Sequence, residues 1–246
     1  MRHVFAALPF LFTAFAALAA PPVLDFTEIS RSEGRSAGCA ITFDDGPGEH
    51  TGRLLDALAD KRVHATFFVL GRHVRSHPDL IRRMVAEGHE VENHSFDHPD
   101  MRKLDEAARQ KEIAETESLL TALGAKPRFF RPPYGAYDPR VVEDARQNGL
   151  EVVLWSHDSE DWRYHTVATL EGNILPPSSH GAHGIFLFHD IHDSTIAAMP
   201  SVLDELKDKG CRFVTVAEWV DGAGPLPDTT PPRQAGAKSW RSLLRW

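Results

Sequence analysis

The stretch CAITFDDGPGEH, residues 39–50, runs from an apolar, β-branched segment directly into two carboxylates, Asp44 and Asp45, and then into Gly46 and Pro47. A short apolar run bounded by turn residues reads as a buried strand. Six more such runs follow: HATFFVL near 64, HEVEN near 89, RFFRPP near 128, EVVLWS near 151, GIFLFHD near 184 and CRFVTV near 211. Helical patterns lie between them. In LDEAARQKEIAETESLLTALG, Ile113, Thr116, Leu120 and Leu123 share one face, and Gly124 with Pro127 supplies the stop. SHPDLIRRMVAEGH behaves alike, with Ser76 as N-cap, Pro78 in the first turn and Gly88 at the end. Seven βα units without a hairpin signal predict an α/β fold, a distorted (β/α)7-type barrel of parallel strands, with an open doubly wound sheet as the alternative. In both, reactive groups gather at the C-terminal ends of the strands.

The 246 residues, 42% hydrophobic and 25% charged, are enough to bury a core and read as one globular domain. The start, MRHVFAALPFLFTAFAALAA, has a positive residue, an apolar stretch and a small-residue cleavage site, so residues 1–19 are expected to be a signal peptide. An uncleaved anchor is the alternative, against which Pro9 and the short length speak. Residues 20–36 then form a linker, 37–222 the catalytic domain, and the Pro- and Gly-rich 223–246 a basic, aromatic tail. The expected location is periplasmic or secreted, with no integral membrane segment after cleavage.

Loss of Arg2 with that segment takes the formal charge from −8 to −9, which argues against nucleic acid and favours neutral or cationic substrates. Two cysteines, Cys39 and Cys211, exclude a disulfide scaffold and a thiolate-rich metal site. Each starts a predicted strand. They either pair after export or remain two small buried apolar residues.

The strand ends, read in turn, give TFDDGP (42–47), NHSFDH (93–98), RPPYG (131–135), DSEDW (158–162) and LFHD (187–190). His94 and His98 are four apart, a spacing that can set two imidazoles on one side of a helical turn. A carboxylate from another strand end would complete a two-His, one-Asp metal set with open positions. DD supplies that carboxylate with one to spare, and two acids in one cleft need cations nearby. Arg131 is the candidate guanidinium. Prolines 132 and 133 stiffen the loop, so that backbone donors at Tyr134 and Gly135 could meet a developing oxyanion. His189 reads as a general acid or base, and Asp161 as the group that fixes its tautomer.

These five segments, spread from Thr42 to Asp190, closely resemble the motifs of the polysaccharide deacetylase family, the NodB homology domain or carbohydrate esterase family 4. The resemblance implies that Asp44 is the catalytic base, and that Asp45, His94 and His98 hold one divalent metal, zinc first, with cobalt, nickel or manganese as alternatives. It further implies that Arg131 orients the base, that the Tyr134 N–H helps hold the oxyanion, and that Asp161 serves His189, the general acid. Trp162 and Leu187 would complete the substrate wall and the acetyl pocket. The implied activity is removal of N-acetyl groups from an N-acetylglucosamine-containing polysaccharide, peptidoglycan or chitin-like, releasing acetate, by a monomer. An O-acetyl esterase acting on xylan, a small-amide amidase and a catalytically inactive carbohydrate-binding homologue are the competing readings. A second His-x-x-His, His180 and His183, reads as a solvent-facing loop because no third ligand accompanies it.

Overall fold

The computed structural model describes Val23 and residues 38–164, 166–174 and 183–222. The expected signal segment, the rest of the linker, the C-terminal tail and His180 lie outside the described residues.

All seven expected runs form parallel strands: β1 (Gly38–Asp44), β2 (Thr66–Val69), β3 (Glu90–Asn93), β4 (Phe129–Phe130), β5 (Glu151–Val152), β7 (Gly184–His189) and β8 (Arg212–Val214). One strand was not foreseen, β6 (His157–Asp158). Among the described residues eight α-helices accompany them: α1 (Thr51–Lys61), α2 (Gly71–Ser76), α3 (Pro78–Ala86), α4 (Glu106–Ala122), α5 (Pro139–Gln147), α6 (Val167–Ile174), α7 (Asp193–Asp208) and, after the last strand, α8 (Val216–Gly222). Strand order is β5-β4-β3-β2-β1-β7-β6, with β8 paired to β1.

β1 is the hub. Its residues 39–44 pair with β7, while residues 38–40 pair with β8 and residues 42–44 with β2. A strand has only two edges, so β8 and β2 share the edge opposite β7 end to end. At the far side, residues 151–158 are one run that changes partner midway. Val153 N–H donates to the Phe130 carbonyl at 3.0 Å, and Ser156 N–H donates to the Ile185 carbonyl at 2.9 Å. The curled sheet is thus closed by covalent chain where no ladder joins β5 to β6.

Alternation sorts the strand residues. Ile41, Phe43, Phe67, Val69, Phe186 and Phe188 pack with Leu54 and Leu58 of α1, Ile81 and Met84 of α3, and Met199 and Val202 of α7. Ala40, Phe68, Phe129 and Ile185 take the other face, against Val216 and Trp219 of α8. Thr42, Asp44, Leu187 and His189 continue this second column toward the C-terminal ends. Period 2 in β1 and β7 therefore delivers a carboxylate and an imidazole to the same face.

The cysteines form a disulfide, Cα–Cα 5.7 Å, because Cys211 just precedes β8 and Cys39 lies in its neighbour β1. The Ser76 cap is corrected: His77 is the N-cap residue of α3, and the Ser76 hydroxyl turns back to the Arg72 carbonyl at the end of α2. Gly88 and Gly124 do take left-handed φ, 82° and 92°, after α3 and α4. Among the described residues no helix is long and apolar enough to cross a membrane.

Candidate active site

Asp44 ends β1, fully within the sheet, and stands in register with His189 at the end of β7. Its Oδ1 accepts from Arg131 Nη1 at 2.7 Å. The same Arg131 nitrogen donates to Thr42 Oγ1 at 2.8 Å, and Nη2 to the Leu154 carbonyl at 3.2 Å. The guanidinium is 0% exposed and stacks 3.8 Å from the Phe68 ring centroid. Burial pushes the Asp44 carboxyl up, and the Arg131 and His189 charges oppose that without overcoming it.

Asp45 leaves the strand through a left-handed φ of 73°, which turns two consecutive carboxylates toward one cleft. Its Oδ1 lies 3.5 Å from His94 Nε2 and 3.4 Å from His98 Nε2, and it is buried without any hydrogen-bond partner. His94 Nδ1 meets the Arg131 carbonyl at 2.6 Å, which makes Nδ1 the protonated nitrogen and leaves the Nε2 lone pair facing Asp45. Burial drives the His94 pKa down to about 3, so the ring is neutral at ordinary pH, and burial lowers His98 as well. The three donor atoms lie within 4.8 Å of one another. An orphaned carboxylate oxygen, two neutral imidazoles and close spacing fit a divalent cation.

The two histidines do not converge through a helical turn, as their spacing suggested. Residues 94–100 are a loop in which Ser95 and His98 take φ of 71° and 64°. Asn93 holds its start, accepting from Ser95 N–H at 2.9 Å and donating to the Ile113 carbonyl at 3.0 Å. Glu112 of α4 accepts from Phe96 and Asp97 N–H, both at 2.8 Å. Tyr134, at φ 61°, sets its ring edge-on to His98, centroids 4.4 Å apart, and stays 62% exposed.

Across the cleft, Asp161 Oδ1 accepts from His189 Nδ1 at 2.6 Å, while Oδ2 accepts from His189 N–H and Thr195 Oγ1, both at 2.7 Å. The imidazole is therefore fixed with Nε2 directed away from Asp161. Burial would depress the His189 pKa, but the Asp161 hydrogen bond and charge, with Asp44 and Asp45 behind, raise it to about 9. Trp162 follows, 42% exposed at the rim, and Leu187 is buried on β7 beside Thr42 and Asp158. All ten singled-out residues thus occupy one end of the sheet.

Sequence reading missed several residues beside them. Thr42 and Trp155 flank the Arg131 guanidinium. His73 Nδ1 donates to the Asp45 carbonyl at 2.7 Å, and Asp190 and Thr51 are bonded to each other beneath Gly46. None carries a spacing signal, since each comes from a different element. His183 is half-buried near His157, whose pKa burial lowers to about 4, and no metal-type group among the described residues includes it.

Comparisons with known proteins show what the chain is similar to. Residues 31–153 match the family model described as polysaccharide deacetylase. The chain is 40% identical over 181 residues to the peptidoglycan-N-acetylglucosamine deacetylase PgdA of Listeria monocytogenes, an alignment covering 73% of this chain and 38% of that protein. It is 39% identical over 186 residues to the chitooligosaccharide deacetylase of Rhizobium leguminosarum bv. trifolii, covering 69% of this chain and 86% of the relative. The solved structure of peptidoglycan deacetylase PdaC from Bacillus subtilis superposes with a TM-score of 0.69 at 34% identity, over 75% of this chain and 90% of the other.

Proposed function

The chain belongs to the polysaccharide deacetylase family, and on that premise we propose that it is a metal-dependent hydrolase removing N-acetyl groups from an N-acetylglucosamine-containing polysaccharide, peptidoglycan or chitin-like. The observation that carries this reading is the buried Asp45 Oδ1, without a hydrogen-bond partner, facing the Nε2 atoms of His94 and His98, with Asp44 and His189 in register beside it.

A divalent ion held by Asp45, His94 and His98, zinc first, would polarise the amide carbonyl and acidify an attacking water. Asp44 takes the proton from that water. Arg131 occupies its Oδ1 and keeps Oδ2, 3.7 Å from His94 Nε2, as the working oxygen. The Tyr134 N–H bonds the oxyanion that develops on the substrate. His189, held protonated by Asp161, donates its Nε2 proton to the departing sugar nitrogen, and acetate and a free amine result. Leu187 lines the pocket for the acetyl methyl, and Trp162 offers an aromatic wall to the sugar ring. The Cys39–Cys211 bridge supports export to an oxidising compartment.

The test is acetate release from peptidoglycan, chitin oligosaccharides and acetylated xylan side by side, with and without chelator. Chelator-sensitive release from the first two supports the proposal. Release from xylan alone points to the esterase, and none from any substrate points to the inactive homologue. Asp44→Asn should lose at least about a hundredfold in kcat, the scale of a proton-transfer group, while binding metal normally. Asp45→Ala should lose metal affinity first, and the opposite pattern would overturn the two roles.

A further inference from the structure

Asp190 follows His189 yet faces away from the chemistry described above. Its carboxylate is 0% exposed, and Oδ2 accepts from Thr51 Oγ1 at 2.5 Å. Thr51, equally buried, opens α1 and accepts in turn from the Gly48 N–H at 2.8 Å. The hydroxyl thus spends its one proton on Asp190 and a lone pair on the loop. A Cβ built on Gly46 would stand 2.2 Å from both Asp190 oxygens, so the carboxylate fills the space a side chain would need. Gly46 itself has no left-handed φ; that conformation belongs to Asp45. Glycine at 46 therefore answers to close approach, not to backbone freedom. From the other side, α2 grips the same turn through Leu70 N–H to the Gly46 carbonyl at 3.0 Å and His73 Nδ1 to the Asp45 carbonyl.

We propose that Asp190 and Thr51 are positioning residues that clamp the Gly46–Gly48 turn and so hold Asp45 in the left-handed conformation that aims its Oδ1 at His94 and His98. Neither touches the substrate. The proposal rests on Asp45 being a metal ligand, and it gives a physical reason for a buried carboxyl after β7 and for a glycine and a buried hydroxyl in the β1–α1 connection. A non-glycine residue is disfavoured in the left-handed region, so the contacts around Asp45 must help hold it there. Partners that orient a ligand typically govern about 10- to 100-fold in metal affinity.

The experiment uses the full chain stripped of metal, with zinc affinity read by competition with a chromogenic chelator and thermal unfolding of the metal-free protein read alongside. Thr51→Val, which keeps the shape and deletes the hydroxyl, should weaken zinc binding about 10- to 100-fold, and Asp190→Ala should do the same. Thr51→Ser, which restores the hydroxyl, should bind zinc as the parent does. Gly46→Ala should also weaken binding, and Asp190→Ala placed on top should relieve part of that defect by making room for the methyl. This pair decides the matter should Thr51→Val fold poorly. Parent-like zinc affinity in Thr51→Val, or strictly additive losses at 46 and 190, would overturn the clamp, provided Asp45→Ala loses zinc. Unchanged affinity in Asp45→Ala would instead overturn the ligand assignment itself.

Discussion

Six non-glycine residues in the described chain have positive φ, and five of them, Asp45, Ser95, His98, Tyr134 and Glu160, sit within the five strand-end motifs. The sixth, Arg62, ends α1. Backbone that is costly on its own has been concentrated where side chains must converge, which is how a strained conformation marks a working site. The electrostatic counterpart is His189. Without the Asp161 charge, burial would dominate and its pKa would fall from about 9 toward or below its ordinary 6.5. A general acid works below its pKa, so Asp161→Asn should move the alkaline limb of the kcat–pH profile to lower pH. An unmoved alkaline limb would show that Asp161 does not set the protonation of His189.

At the level of elements, each strand brings its own polar burden. His89, just ahead of β3, is a clear case: its Nδ1 accepts from Ala65 N–H at 3.1 Å, and burial, against the pull of Glu87, lowers its pKa from 6.5 to about 4. The unfolded chain takes up a proton there at higher pH than the folded one, so stability rises with pH between about 4 and 6.5 and is lost as pH falls through that window. His89→Asn, which offers an oxygen near the Nδ1 position, should lose less stability between pH 7 and pH 5 than the parent in urea unfolding; an equal loss would exclude His89 as the source. The seven strands were legible because apolar runs and their bounding residues are local signals. The run EVVLWS was legible as a strand but not as one that changes partner between Val153 and Ser156, since pairing is a property of the neighbours. The proposed ligands Asp45, His94 and His98 were legible through motif resemblance; Thr51, His73 and Asp190 were not, because their contacts run across elements.

Over the whole molecule, the disulfide ties β1 to the residue just ahead of β8 across 172 residues of sequence. Closing so long a loop removes unfolded-state entropy worth up to about 5 kcal/mol in the chain-entropy model. The double variant Cys39→Ala/Cys211→Ala should therefore unfold at lower denaturant, by about 2–5 kcal/mol, and keep its metal affinity, since the bridge lies at the opposite end of β1 from Asp44. Equal stability with and without the bridge would show that the hydrogen-bonded frame alone suffices. β1 has a further consequence for biosynthesis. Two of its three partners, β7 and β8, begin at Gly184 and Arg212, so a nascent chain that has already displayed Asp44, both histidines and Arg131 still has nothing to lay along most of that strand. His189, the proposed proton donor, arrives on β7, one of the late strands that complete the frame. Under the proposed roles, synthesis halted before β7 and β8 would yield no partly competent hydrolase.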